Sequence, residues 1–345
     1  KRTMNTKLNY GLLKKLYAIH SPSGKEDKMI KFLISYIKSL HGDISLGRDA
    51  YGNIYAIKGE SVTYPAIVAH LDQISCCPHP RDFKPTETRD LIFGYSSKEH
   101  TFCNLGADDK NGIFIILEAL KKYDCIKVAL FREEECGCNG SNHAEMKFFE
   151  DCRFVLQCDR KGNSDLITSI GGTDLCSEAF IQAIDPERFN YIPAVGMMTD
   201  VETLKEKGLS VSAVNISCGY YNPHQSEEIT VKRDLEGCWK LVQHIIEDCT
   251  EVYPHEVGEN GYYGFYDEWE LESELYDFIQ QDPSLTGADL YDMYHTNFPR
   301  LKIEDFERIV EEYRLMYVDE TEESITPHHT FLTNGKENDK EDYIF

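Results

Sequence analysis

Between residues 53 and 217 the sequence keeps returning to one pattern: a short run that is apolar almost throughout, then a stretch with helical spacing. The runs at 53–57, 66–70, 127–131, 154–158, 166–170 and 211–217 are several times apolar along their length rather than alternating. Strands covered on both faces read this way. Helical stretches lie between them near 110–122, 141–150 and 199–207, and a longer one follows at 234–249. Two helices precede the pattern, 7–18 with Leu12, Leu13 and Leu16, and 25–40 with Met29, Phe32, Leu33, Tyr36 and Ile37, parted by Ser21-Pro22-Ser23-Gly24. This alternation predicts an α/β fold of three layers, helix–sheet–helix, around a mainly parallel mixed sheet.

The pattern stops at Tyr253-Pro254. Beyond it come helical patterns near 268–281, 286–295 and 303–317, joined by Asp282-Pro283 and Phe298-Pro299, with no strand-like run. From Asp319 the chain is polar and acidic. The 345 residues therefore read as a large α/β domain over 1–254, a small C-terminal helical appendage over 255–318 and an acidic tail over 319–345. Charge follows the same division. Of 60 acidic and 36 basic residues, 25 acidic and 6 basic lie from Glu251 onward, so most of the net −24 belongs to the last quarter. Such a balance argues against nucleic acid or an anionic membrane as the main partner, and no apolar run approaches the length of a membrane span. Cys125, Cys158, Cys218 and Cys249 fall singly on apolar runs, where free thiols behave as small hydrophobes. Cys76-Cys77 and Cys136-Gly-Cys138 lack the two-residue spacer of a zinc knuckle. The expected location is the reducing cytoplasm.

In a sheet of this kind ligands bind outside the carboxyl ends of the strands, and there the chemistry-bearing residues collect. His70 ends the run Ala66-Ile67-Val68-Ala69, and Asp72 points the same way two residues on, so its carboxylate could hold the imidazole N–H. A hydrogen-bonded loop pair is the plainer reading of those two alone. Asp108 and Asp109 stand in a Gly-bounded turn before the apolar helix at 113–120; capping explains one carboxylate there, not two. Glu133, Glu134 and Glu135 follow the strand at 127–131, Asp159 follows Cys158, and His224 follows the run at 211–217 through Gly219-Tyr220-Tyr221-Asn222-Pro223. A solvated charge run normally lies on a helix face, whereas these acids end buried strands. Carboxylates mixed with imidazoles suit Zn²⁺, with Mn²⁺ or Co²⁺ as alternatives, better than Mg²⁺ or a thiolate site. Two divalent ions would let so many acids converge without repelling one another.

Over residues 5–250 the sequence resembles the dinuclear zinc exopeptidase superfamily, which includes bacterial leucyl aminopeptidase, peptidase T and carboxypeptidase G. The resemblance rests on an ordered set: Ser21-Pro-Ser-Gly-Lys-Glu26, His70-Leu-Asp72, Gly106-Ala-Asp108-Asp109-Lys110, Glu134-Glu135-Cys-Gly137, Asp159 and His224. It implies that Asp108 bridges two metal ions, that His70 and Asp159 complete one and Glu135 and His224 the other, that Glu134 is the general base and that Asp72 orients His70. It also implies a cis peptide between Asp108 and Asp109. Glu133 is the extra acid. Some relatives carry a lid domain between the positions of Asp159 and His224 and others an insertion between those of Asp72 and Asp108; about 65 and 36 residues separate these pairs here, too few for either module. Tyr220 or Tyr221 is the candidate to replace the oxyanion-site histidine that the lid supplies. The resemblance implies an aminopeptidase acting on short peptides, since aminopeptidases of the superfamily usually have Asp at the position of Asp159. A carboxypeptidase or an amidohydrolase of N-acyl amino acids on the same site stands as the alternative, and after it a non-catalytic metal-binding interaction protein. The sequence leaves the oligomeric state open.

Overall fold

The structure is a computed structural model that describes residues 8–74, 82–257, 275, 279, 284–294 and 302–322. The chain divides into two compact units, Lys1–Trp269 and Glu270–Phe345. The expected helix at 268–281, the Cys76-Cys77 pair and the tail beyond Glu322 lie outside the described residues.

The first unit opens with helices α1 (Tyr10–Tyr17) and α2 (Asp27–Ser39). Its strands are β1 (Ile44–Arg48), β2 (Ile54–Lys58), β3 (Tyr64–His70), β4 (Phe83–Glu87), β5 (Leu91–Ser96), β6 (Thr101–Cys103), β7 (Ile126–Phe131), β8 (Cys152–Arg160), β9 (Asp165–Ile170), β10 (Thr173–Asp174), β11 (Ile192–Gly196), β12 (Ala213–Ser217), β13 (Tyr220–Tyr221) and β14 (Ile229–Val231). Helices α3 (Ala107–Lys122), α4 (Asn139–Asn142), α5 (Glu178–Ile184), α6 (Asp200–Glu206) and α7 (Lys232–Asp248) are set among them. Among the described residues nine strands make one mixed sheet, in the order β1-β2-β7-β3-β8-β12-β9-β10 with β11 on β9. Its centre is parallel: β3 pairs β7 and β8, and β12 pairs β8 in the same sense. The antiparallel strands stand outside that centre.

Strand periodicity explains the layering. Ile67 and Ala69, Val128 and Leu130, and Phe154 and Leu156 pack on one face against α1, α3 and α7. The alternate residues Ala66, Val68, Ala129, Phe131 and Val155 pack on the other against Phe149 and, from α6, Val201 and Leu204. Successive side chains of a strand point to opposite faces, so burying both faces requires the continuous apolar runs seen in the sequence. Two parts of the fold differ from the sequence reading. The helix expected at 141–150 is only the four-residue α4, a break at His143 and a 3₁₀ turn at Met146–Phe149. A second sheet, β13-β14-β5-β4 with β6 on β5, occupies sequence read as connection.

In the second unit α8 (Gly287–Tyr294) and α9 (Ile303–Glu322) pack together, with the Tyr291 and Phe306 rings 6.0 Å apart edge to face. Thr286 and Asp289 cap α8 reciprocally: the Thr286 N–H donates to Asp289 Oδ2 at 2.8 Å and the Asp289 N–H to Thr286 Oγ1 at 3.2 Å. Helix α9 runs to Glu322, into the stretch read as tail. Among the described residues no helix is long and apolar enough to cross a membrane, and ten cysteines are free thiols.

One buried hub ties the helical layer to the second sheet. The Tyr17 hydroxyl lies 2.5 Å from Asn111 Oδ1 on α3 and 2.7 Å from Thr230 Oγ1 on β14, while Asn111 Nδ2 donates to the Cys218 carbonyl. Tyr17→Phe removes the hydroxyl from a buried site in which Asn111 and Thr230 keep each other, and a lost hydrogen bond of this kind costs about 0.5–1.5 kcal/mol. Urea unfolding of the variant should lose stability in that range; an unchanged midpoint would show that the hub carries no weight.

Candidate metal centre

The parallel centre of the sheet brings the acids together. His70 is the last residue of β3 and pairs with Phe131, the last of β7; Val68 pairs with Gln157, so two residues on along each strand stand His70 and Asp159. Past β7 the chain takes a left-handed turn at Glu133, φ 54°, and sends Glu134 and Glu135 inward. Asp108 enters from the start of α3, where the Asp108–Asp109 peptide is cis. His224 arrives from the turn after β13 with φ 65°.

These residues meet. His70 Nε2 is 2.9 Å from Asp108 Oδ1, 3.6 Å from Asp159 Oδ1 and 3.8 Å from Glu134 Oε2. His224 Nε2 is 3.3 Å from Asp108 Oδ2 and 3.0 Å from Glu135 Oε2. Asp108 thus stands between the two imidazoles, one carboxylate oxygen to each. His70 is fully buried and His224, at 21% of its side chain, is the most exposed member. Glu133 is turned away: its Oε2 accepts the Tyr51 hydroxyl at 2.7 Å, and its Oε1 faces Arg132 at 3.6 Å.

Other polar groups fix the backbone of this set. Asp72 accepts the N–H of Glu134 at 3.0 Å, the N–H of Glu135 at 3.2 Å and the Ser23 hydroxyl at 2.7 Å, with Oδ1 also 3.3 Å from His70 Nδ1. Asp109 accepts the N–H groups of His70 and Gly112, so both of its oxygens are engaged with backbone. Asn215 brackets Asp159, accepting its N–H and donating to its carbonyl, both at 2.9 Å. Asn215 and the bracing role of Asp109 escaped the sequence reading, because an Asn inside an apolar strand carries no motif. Of the two tyrosines, Tyr220 reaches the site, its hydroxyl 3.4 Å from Asp159 Oδ1, whereas Tyr221 donates to Asp234.

Burial disfavours a charged imidazole at His70, yet Asp159, Glu134 and Asp108 around it outweigh that and raise its pKa. His224 behaves alike, with Glu135 and Asp108 as the stronger influences. Burial pushes Glu134, Asp159 and Asp109 up, as does crowding by Asp159 at Glu134 and Asp109 and by Asp108 at Asp159. Asp108 goes the other way: burial opposes ionisation, but His224 and His70 together hold it well below the carboxylate range. The protein alone must therefore share protons among these groups, a situation that bound cations relieve.

The donor set fits divalent metal. Ligand atoms of His70, Asp108 and Glu135 lie within 4.8 Å of one another, and so do those of His70, Asp109 and Asp159. Among the described residues nothing donates to the buried Glu135 Oε1, as suits an oxygen that faces a cation. In the second cluster both oxygens of Asp109 are held by backbone N–H groups, whereas Asp159, beside His70, is engaged by side chains alone, Gln157 Nε2 at 3.2 Å and the Tyr220 hydroxyl at 3.4 Å.

No family model and no curated protein sequence matches this chain. Solved structures do. An aminopeptidase of the archaeon Desulfurococcus kamchatkensis aligns over 69% of this chain and 94% of its own, with a TM-score of 0.55 and 19% identity. Aminopeptidase PepT from Bacillus cereus aligns over 72% and 100%, TM-score 0.57, at 13% identity. A tripeptidase of Staphylococcus aureus aligns over 71% and 98%, TM-score 0.56, also at 13%. The chain thus has the fold of these peptidases, in agreement with the superfamily resemblance of its sequence.

Asp72→Asn would set an amide NH₂ against one of the two backbone N–H groups, that of Glu134 or that of Glu135. Residues that orient metal ligands typically contribute 10–100-fold to affinity, so zinc affinity by chelator competition should fall roughly that far. Unchanged affinity would mean that Asp72 does not organise the centre.

Proposed function

We propose that this chain is a two-metal hydrolase that removes the N-terminal residue of short peptides. The single observation that carries the reading is the position of Asp108 between His70 and His224, with Asp159 and Glu134 on one side and Glu135 on the other. In this reading His70 and Asp159 would hold one ion and Glu135 and His224 the other, with Asp108 serving both. Zinc suits these donors best, and Mn²⁺ or Co²⁺ could replace it. When bound, such a pair supplies a Lewis acid for the carbonyl and an acidified water. The remaining tasks fall to side chains. Glu134 turns Oε1 toward the Cys138 thiol, 3.7 Å away, and Oε2 toward His70, so a proton from water would be taken at Oε2 and passed to the leaving amine. Asp72 keeps the Nδ1 face of His70 and thereby directs Nε2 inward. The Tyr220 hydroxyl is the group on hand to steady a developing oxyanion.

Two observations support attack from the amino end. The peptidases that share the fold include two aminopeptidases and a tripeptidase. A substrate α-carboxylate needs a cationic clamp, best supplied by arginine. Arg160, next to Asp159 in the chain, is paired with Asp165 at 3.2 Å, and Lys161 beside it is exposed. A catalytic role is favoured over a purely structural metal site by Glu134, an acid with no duty in a structural site. We assign the chemistry to residues 1–254, with 255–318 a helical appendage and 319–345 an acidic tail. Residue His255 remains bonded to the body through Ser210 and Lys205. The expected location is cytoplasmic, and the oligomeric state is left to measurement.

Two experiments test this. Glu134→Gln should keep its metal and lose about 10²–10⁴-fold in turnover, the usual range for a general acid–base group; wild-type rates would refute the base. Acetylating the N-terminus of a good peptide substrate should remove most of kcat/KM. Equal cleavage of the blocked peptide with failure on a C-terminal amide would make the enzyme a carboxypeptidase, and preference for N-acyl amino acids an amidohydrolase.

A further inference from the structure

The loop that delivers His224 also delivers Glu228, four residues later, to the opposite side of Asp108. Glu228 is fully buried. Its Oε2 accepts the Gly106 N–H at 2.5 Å and Asn104 Nδ2 at 3.0 Å; its Oε1 accepts the N–H groups of Ala107 and Asp108, both at 3.1 Å. Four donors, three of them consecutive backbone amides, saturate one carboxylate. Gly106 in this turn has φ 65°, a conformation that favours glycine.

We infer that Glu228 is a positioning residue for the metal bridge: it locks the loop of His224 to the backbone of Asp108 and so fixes the separation of two ligands lying on distant parts of the chain. The inference rests on the metal reading of the same site. Asp108 and His224 are 116 positions apart and meet at 3.3 Å, and the bonds from Glu228 to the 106–108 turn join the two loops directly. Only the ionised, acceptor-only form fits four N–H donors. A glutamine could meet at most half of them and would turn its own NH₂ against the rest.

The test uses the full chain. Zinc affinity is measured by chelator competition, and thermal midpoints are taken with and without zinc, for wild type, Glu228→Gln and the control Glu227→Gln. Glu227 is the exposed neighbour. Glu228→Gln should bind zinc about 10–100-fold more weakly, and the gap between its zinc-loaded and zinc-free midpoints should shrink, while Glu227→Gln matches wild type. At saturating zinc the loss in peptide cleavage should appear in kcat rather than KM. A merely structural role would lower both midpoints equally and leave affinity alone. If Glu228→Gln does not fold, Glu228→Asp keeps the charge on a shorter arm and should show the same direction. Wild-type affinity in either folded variant overturns the inference. A wild-type chain that takes up no zinc overturns it together with the metal reading; one that binds two ions and cleaves no peptide overturns the peptidase reading alone, with the affinities still deciding on Glu228.

Discussion

Seven carboxylates and two imidazoles share one largely buried region of the larger unit, and the arrangement of its loops follows from making that tolerable. Two like charges 4 Å apart repel by about 4 kcal/mol at the effective dielectric of a protein interior. The fold handles this by dividing the acids into two kinds. Asp72, Asp109 and Glu228 accept hydrogen bonds from backbone N–H groups, partners that add no mobile charge. Asp108, Glu134, Glu135 and Asp159 instead face the two imidazoles and one another. The first kind holds the second in place. The region between the second kind is where positive charge belongs.

That division also accounts for the backbone irregularities around the site. Glu133, Cys138, Asn222 and His224 all have φ between 53° and 65°, a conformation L-residues enter at a cost of roughly 1–2 kcal/mol each. Such residues persist where their surroundings over-determine them. Here the turn after β7 is held by Asp72 from one side and by Asn53, whose side chain bonds both the Arg132 N–H and the Gly140 carbonyl, from the other.

The sequence made the centre of the fold legible because burial on both faces leaves nowhere for polar residues except strand ends. That is why β3, β7, β8 and β12 and the acids after them could be read directly, and why His70, Asp108, Glu134, Glu135, Asp159 and His224 could be collected before their distances were known. The strands β1, β4, β5, β6, β11, β13 and β14 were not legible. They are short or half-exposed, as in Phe83-Lys-Pro-Thr-Glu87 with its buried residue at one end only, and their stability comes from partners far away in the chain. The helix expected at 141–150 was misread because its apolar residues, Phe148 and Phe149, serve a 3₁₀ turn after a break at His143. Glu228 was invisible for a different reason: in Gln225-Ser226-Glu227-Glu228 it looks like a solvated loop acid, and only its spacing from His224 hinted otherwise.

The proposed function turns on Asp108 bridging a pair of ions. Crystals grown with zinc and measured for anomalous scattering at the zinc edge test it most directly. The account predicts two peaks about 3.5–4 Å apart, with one Asp108 oxygen on each, His70 and Asp159 on the first and Glu135 and His224 on the second. A single peak, or peaks that leave Asp108 unliganded, would contradict it.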